Sequence, residues 1–189
     1  HGGGRGAVFV CGGSTNVVVE RCAFVGCDRS IAFGNPSGDA TRPHVAAGTI
    51  RNNFIAAGAD SAIELSSVTG VRVLHNTVWT DDPVNGVALN CPSFGFGVGG
   101  ELQNNILRGR LSGSYGGLSP AGNVTGSSIL AAWFNDGAAA DLRLASAVTD
   151  VVNRVTAPAQ SPTDWDGHYR PTGTGLADAG ADEFGSSLQ

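Results

Sequence analysis

Carboxylates recur at the turns of this sequence. Asp28, Asp60, Asp81 and Asp82 stand in Cys27-Asp28-Arg29-Ser30, Gly58-Ala59-Asp60-Ser61 and Thr80-Asp81-Asp82-Pro83, and Glu64 follows within Ala62-Ile63-Glu64-Leu65. Oxygens held at strand spacing can share Ca²⁺, a hard cation that takes oxygen ligands, or they can divide the roles of acid and base. Asp28, Asp60, Asp81 and Asp82 are therefore the candidate metal ligands. Glu64, Asp60, Arg29 and His44 are the candidate catalytic groups. The plainer account is that Asp closes Asx bends in turns and that Glu64 is a solvated strand residue. His44 is the histidine to watch, because it ends the insertion Gly34 to Val45, which also carries Asp39 and Arg42, and long loops carry function more often than scaffold strands do. His75 belongs to a polar bend, His168 to the tail and His1 to the start. No G-x-S-x-G or H-E-x-x-H pattern is present, so hydrolase triads and zincins are set aside.

The elements that position these residues must be strands. The chain has 189 residues, 41% of them hydrophobic, which is enough apolar material for one continuous core. Its 29 glycines cluster between short runs of Val, Ile, Leu and Phe with no triplet period. Few segments place apolar residues at helical spacing over ten or more positions, and the pattern predicts an all-β protein. The 16 acidic residues outnumber 11 basic ones, all arginine, for a net charge of −5. Nucleic acid and anionic membrane both reward clustered basic side chains, so neither is an expected partner. No run reaches the length of a membrane-spanning helix. Methionine is absent, and a strand-like run follows the first glycines at once, from which a missing amino-terminal part is expected. Cys11, Cys22, Cys27 and Cys91 lack the paired spacing of a zinc site. Cys22 and Cys27 either bridge across a turn or, more simply, pack as free thiols.

A repeat organises these strands. Val19 to Phe24, Ile50 to Ile55, Val73 to Val78 and Leu102 to Leu107 each read apolar, variable, polar, Asn or Cys, variable, apolar. Cys22, Asn53, Asn76 and Asn105 fall at intervals of 31, 23 and 29 residues, as expected when a constant core carries turns of different length. A second strand recurs at Val8 to Val10, Ile31 to Phe33, Ile63 to Leu65 and Val87 to Leu89, with the middle residue of each facing outward. The segments between are too short for a helical crossover, so the chain must coil. Stacking about 4.8 Å apart brings like residues into columns. Asn53, Asn76 and Asn105 then form a ladder of structural amides, with Cys22 one rung earlier and Asn123 one rung later. On the outer face, Arg51 is expected to pair with Glu20 of the adjacent rung.

This pattern resembles the right-handed parallel β-helix of the pectate-lyase-like superfold, over about residues 7 to 130. Residues 1–130 are expected to form the rungs and 131–189 a final rung and a cap. The tail, with Asp164-Trp165-Asp166-Gly167-His168-Tyr169-Arg170-Pro171 and then Ala177-Asp178-Ala179-Gly180-Ala181-Asp182-Glu183, resembles the closing segment of many secreted bacterial β-helix proteins. It is expected to run back over the last rung. The resemblance implies that the Ile63-type strands form the first sheet, on which substrate usually lies. Its outward residues are expected to be Phe9, Ala32, Glu64 and Ala88. It implies further an extracellular or cell-surface protein acting on an acidic polysaccharide, with Ca²⁺ as cofactor and Arg29, Arg42 or Arg51 as bases or carboxylate clamps, since lysine is absent. The competing expectation is a non-catalytic spacer or adhesive scaffold, favoured by sparse aromatics and small outward side chains. The first rung is expected to be covered by an amino-terminal remainder or by another chain.

Overall fold

The computed structural model describes residues 6–39, 41–93 and 99–185. Five rungs are laid down in chain order. The first comprises β1 (Val8–Val10), β2 (Ser14–Thr15), β3 (Val18–Glu20) and β4 (Ala23–Cys27), and the second β5 (Ile31–Phe33), β6 (Val45–Ala46), β7 (Thr49–Arg51) and β8 (Phe54–Ala57). The third holds β9 (Ser61–Ser66), β10 (Val68–Thr69), β11 (Arg72–Leu74) and β12 (Thr77–Thr80). The fourth holds β13 (Val87–Ser93), β14 (Gly100–Gln103) and β15 (Ile106–Leu107), and the fifth β16 (Arg110–Gly113), β17 (Leu118–Ala121) and β18 (Val124–Thr125). Every pairing between rungs is parallel. Three five-stranded sheets result: β1-β5-β9-β13-β16, β3-β7-β11-β14-β17 and β4-β8-β12-β15-β18, with a short β2-β6-β10 sheet at the corner between the first two. The protein is a parallel β-helix.

Alternation turns every second side chain of a strand inward. Ile31 pairs with Ile63, Val19 and Val73 with Ile50, and Phe24 and Val78 with Ile55, so each column inside is built of like residues. The interior core includes Phe33, Ile50, Ile55, Ile63, Leu65 and Leu102. The bend between the second and third sheets needs a left-handed residue in every rung, and Arg21, Asn52, His75, Asn104 and Gly122 all have φ between 49° and 63°. The next residue then points inward and serves the backbone groups that the bend leaves free. Asn53, Asn76 and Asn105 each donate Nδ2 to Oδ1 of the next ladder residue at 2.8–3.0 Å, ending on Asn123, and each also donates Nδ2 to a backbone carbonyl of the preceding rung. Cys22 starts the column by donating its backbone N–H to Asn53 Oδ1. All four cysteines are free thiols, and Cys22 Sγ donates to Glu20 O instead of bridging to Cys27.

The tail takes a different course from the one expected. Beyond Thr125 the described residues add no parallel strand. They form an antiparallel pair, β19 (Phe134–Asp136) with β20 (Asp141–Leu144), and a segment that runs along the side of the helix toward its first rungs and back. Thr156 O accepts from Asn104 Nδ2, Gln160 O from Arg51, and Thr163 O from Asn52 Nδ2. Trp165 stacks on Phe54 with ring centroids 4.5 Å apart. The cause lies in the third sheet, whose outward Phe54, Trp79 and Ile106 are apolar. They bury themselves against Ile129, Phe134, Leu142, Leu144, Val151 and Val155 in a second hydrophobic core.

Candidate functional site

The register of the first sheet decides what surrounds Glu64. Ala32 lies beside it on one side, as expected, but on the other Asn90 occupies the place assigned to Ala88. Val87 pairs with Ser61 and Leu89 with Ile63, so β13 is displaced by two residues. A displacement of two keeps every side chain on its own face, and alternation alone does not distinguish the two registers. The outward column therefore reads Phe9, Ala32, Glu64, Asn90 and Ser112.

Glu64 is 3% exposed, not solvated. Arg29, from the turn entering β5, lies along it. Arg29 Nε is 3.3 Å from Glu64 Oε2, and Arg29 Nη2 is bound to Asp60 Oδ2. Asn90 Nδ2 approaches Glu64 Oε2 at 3.5 Å. The negative charge of Glu64 reaches the interior as well: burial first, and Glu64 second, push the Cys91 thiol up to about 12. Ser30 Oγ and Ser61 Oγ, next to Arg29 and Asp60 in the chain, are buried and find no hydrogen-bond partner among the described residues. A buried pair of opposite charges gives little net stability, because both ions lose their hydration. A carboxylate held against a guanidinium on the outward slot of a strand is therefore a candidate site.

The other candidates are placed apart from one another. Asp28 and Asp60 do lie in adjacent rungs, and Asp60 N donates to Asp28 O at 2.9 Å. The Asp60 carboxylate, however, turns to Arg29. Asp81 Oδ1 accepts from Trp79 Nε1. Asp82 closes its own turn, accepting from the backbone N–H of Val84 and Asn85 and from the Asn85 side chain, and these bonds hold its carboxyl below the usual range. Asp81 and Asp82 border an open groove of about 430 Å³ with Gly58, Thr80 and Asn85. Calcium takes roughly six to eight oxygen ligands, and among the described residues no three His, Cys, Asp or Glu side chains are arranged to hold a metal ion.

His44 is buried at the base of its insertion. Its Nδ1 accepts from Asn35 N at 3.0 Å and its backbone N–H donates to Ser67 O, so the ring shapes the loop that carries it. Arg51 pairs with Glu20 at 2.6 Å, as the repeat predicts. Arg42 meets Asp39 at 3.9 Å and is exposed. Sequence reasoning missed Asn90, because only the strand pairing assigns it, and the two buried hydroxyls, which carry no sequence signal. Among the described residues no helix is long and apolar enough to cross a membrane.

Fold and site together define a parallel β-helix protein with a buried, arginine-paired glutamate on the outer side of its first sheet. Against family models, curated proteins and solved structures, the chain finds no match.

Proposed function

We propose that the protein is a secreted bacterial β-helix protein, pectate-lyase-like in plan, that binds an acidic polysaccharide along its first sheet and acts on it at Glu64. The observation that carries this reading is the burial of Glu64 against Arg29. Cleavage of a uronide by elimination needs a positive charge beside the sugar carboxylate, a base for the α-proton and an acid for the departing oxygen. Arg29 is the positive charge and Glu64 the group that takes or returns the proton. Asp60 holds the guanidinium in place. No step in this scheme passes through Ca²⁺. β1, β3 and β4 are the terminal strands of their sheets, and this open edge supports a covering partner there, either an amino-terminal remainder or another chain.

The test is absorbance at the wavelength of an unsaturated uronide with pectin and with alginate, with and without added Ca²⁺, alongside calorimetric titration of the same glycans. Product formation that Glu64→Gln abolishes supports the reading. Binding without product reduces it to a glycan-binding surface. The second reading, a non-catalytic spacer or adhesive scaffold, is favoured by one specific observation: Arg29 already has two carboxylates against it. Absence of both product and binding selects that reading.

A further inference from the structure

The tail buries more charge than the fold of the rungs requires, and the charges do not balance. Asp164, Asp178, Asp182 and Glu183 are all buried, and among the described residues the one buried arginine is Arg170, at 2% exposure. Arg170 is the hub. Its Nη1 donates to Glu183 Oε1 at 2.6 Å, and its Nη2 donates to the carbonyls of Gly180 and Ala181 and to Asn52 Oδ1 of the second rung. Asp178 accepts from the backbone N–H of Asn153 and Phe184. Among the described residues Asp182 has no guanidinium of its own: Oδ2 accepts from Leu144 N at 2.9 Å, Asp164 and Asp166 repel it, and Arg143, whose charge acts on it, is already paired with Asp141 and Asp166. His168 lies 3.4 Å from Asp164, and Arg154, exposed, donates its backbone N–H to Ala177 O.

From the rungs, Arg51 donates to Gln160 O but is paired with Glu20, and Arg21 Nη1 would lie 3.3 Å from a Cβ placed on Gly167. His75, fully buried, receives Asn104 Nδ2 on Nε2 and meets Gly180 O through Nδ1, the pattern of a neutral ring. Burial, and then Arg170, push it well below the usual histidine range. Two further contacts between tail and rungs are neutral: Gly180 N donates to Asn104 O, and Ala181 N to Thr77 Oγ1.

We propose that the tail is an acid-tightened clasp: docking of residues 161–183 on the side of the second, third and fourth rungs takes up protons, and the clasp loosens as the medium goes from mildly acidic to alkaline. An excess of buried carboxylate is relieved by protonation, whereas the same groups in an undocked tail ionise at about pH 4. Burial pushes Asp182 up to about 6, with Asp164 and Asp166 adding to the rise, and burial also pushes Glu183 upward against the pull of Arg170. Both are raised on docking. Their contribution is therefore complete below the ordinary carboxylate range and is lost as pH rises through 6 to 7.

Amide exchange on the whole chain reads this directly. Corrected for intrinsic exchange, Ala177, Gly180 and Ala181 should exchange at least about tenfold faster at pH 8 than at pH 5.5, while the ladder amides of Asn53, Asn76 and Asn105 keep their protection. Asp182→Asn, which can still accept from Leu144 N, should shrink the difference, and Glu183→Gln provides a second variant. A carboxyl-carbon titration of the unaltered protein should place the Asp182 midpoint near 6. The proposal is overturned by equal or greater tail protection at pH 8, by parallel loss of protection in the ladder, or by an Asp182 midpoint in the ordinary range.

Discussion

Asn53 donates its side-chain amide to Oδ1 of Asn76 across 2.9 Å, although 23 residues of chain separate the two. Asn76 passes the contact to Asn105 at 3.0 Å and also donates to Ile50 O, so it is bonded to the rungs on both sides of its own. Removing it leaves several buried groups without partners. Asn76→Ala is expected to lower the unfolding free energy by roughly 2–4 kcal/mol, read as a shift of the denaturant midpoint. An unchanged midpoint would mean that the ladder follows the coil rather than holding it.

Gly34 follows β5 with φ +83°, and a Cβ there would lie 1.6 Å from Ser66 O. The obstacle is backbone of the next rung, which cannot step aside. Gly34→Ala is expected to cost at least about 2–3 kcal/mol, whereas Gly173→Ala, at φ +70° with nothing within 4 Å, should cost only the left-handed strain of about 1 kcal/mol. Thermal denaturation of the pair checks the contrast.

The thiols should separate by reactivity. Cys11 is exposed, while Cys91 is fully buried with its thiol pushed up to about 12 by burial and by Glu64. A thiol reagent at pH 8 is expected to label Cys11 first and Cys91 only after unfolding. Early labelling of Cys91 would contradict its burial in the interior core.

Glu64→Gln keeps the shape of the side chain and removes its charge, while Arg29 keeps Asp60. The fold should survive. Any turnover of an acidic glycan should fall by about 10²-fold or more, with binding retained, and a variant that keeps full activity would take Glu64 out of the proposed chemistry.

Arg170→Met leaves Glu183 buried without its cation. Loss of one partner from a buried pair costs about 3–5 kcal/mol. The expected result is release of the tail, seen as a change in Trp165 emission when it leaves Phe54, with the circular dichroism of the rungs unchanged.

The repeat was legible in the sequence because a β-helix writes its core locally: alternate apolar residues face inward, and a recurring Asn or Cys marks the bend. Residues 19, 50, 73 and 102, and residues 22, 53, 76, 105 and 123, were placed in their columns by type and spacing alone. So was the Arg51–Glu20 pair, whose members sit at equal offsets from the ladder. The solvation of Glu64 was misread, since its exposure depends on Arg29 and Asn90, which come from other rungs. Asn90 itself was hidden because a strand displaced by two residues shows the same alternation.

By itself the sequence determined that the chain coils, which residues line the interior and where the polar ladder runs, all of which follow from the two-residue period of a strand and the geometry of one repeated bend. Only the tertiary structure decided that the tail lies along the third sheet instead of across the last rung. Phe54, Trp79 and Ile106 face outward from three different rungs and become one apolar surface only when those rungs are stacked. Arg170, Asp182 and Glu183 likewise reveal an imbalance of charge only once the folded tail has removed them from water.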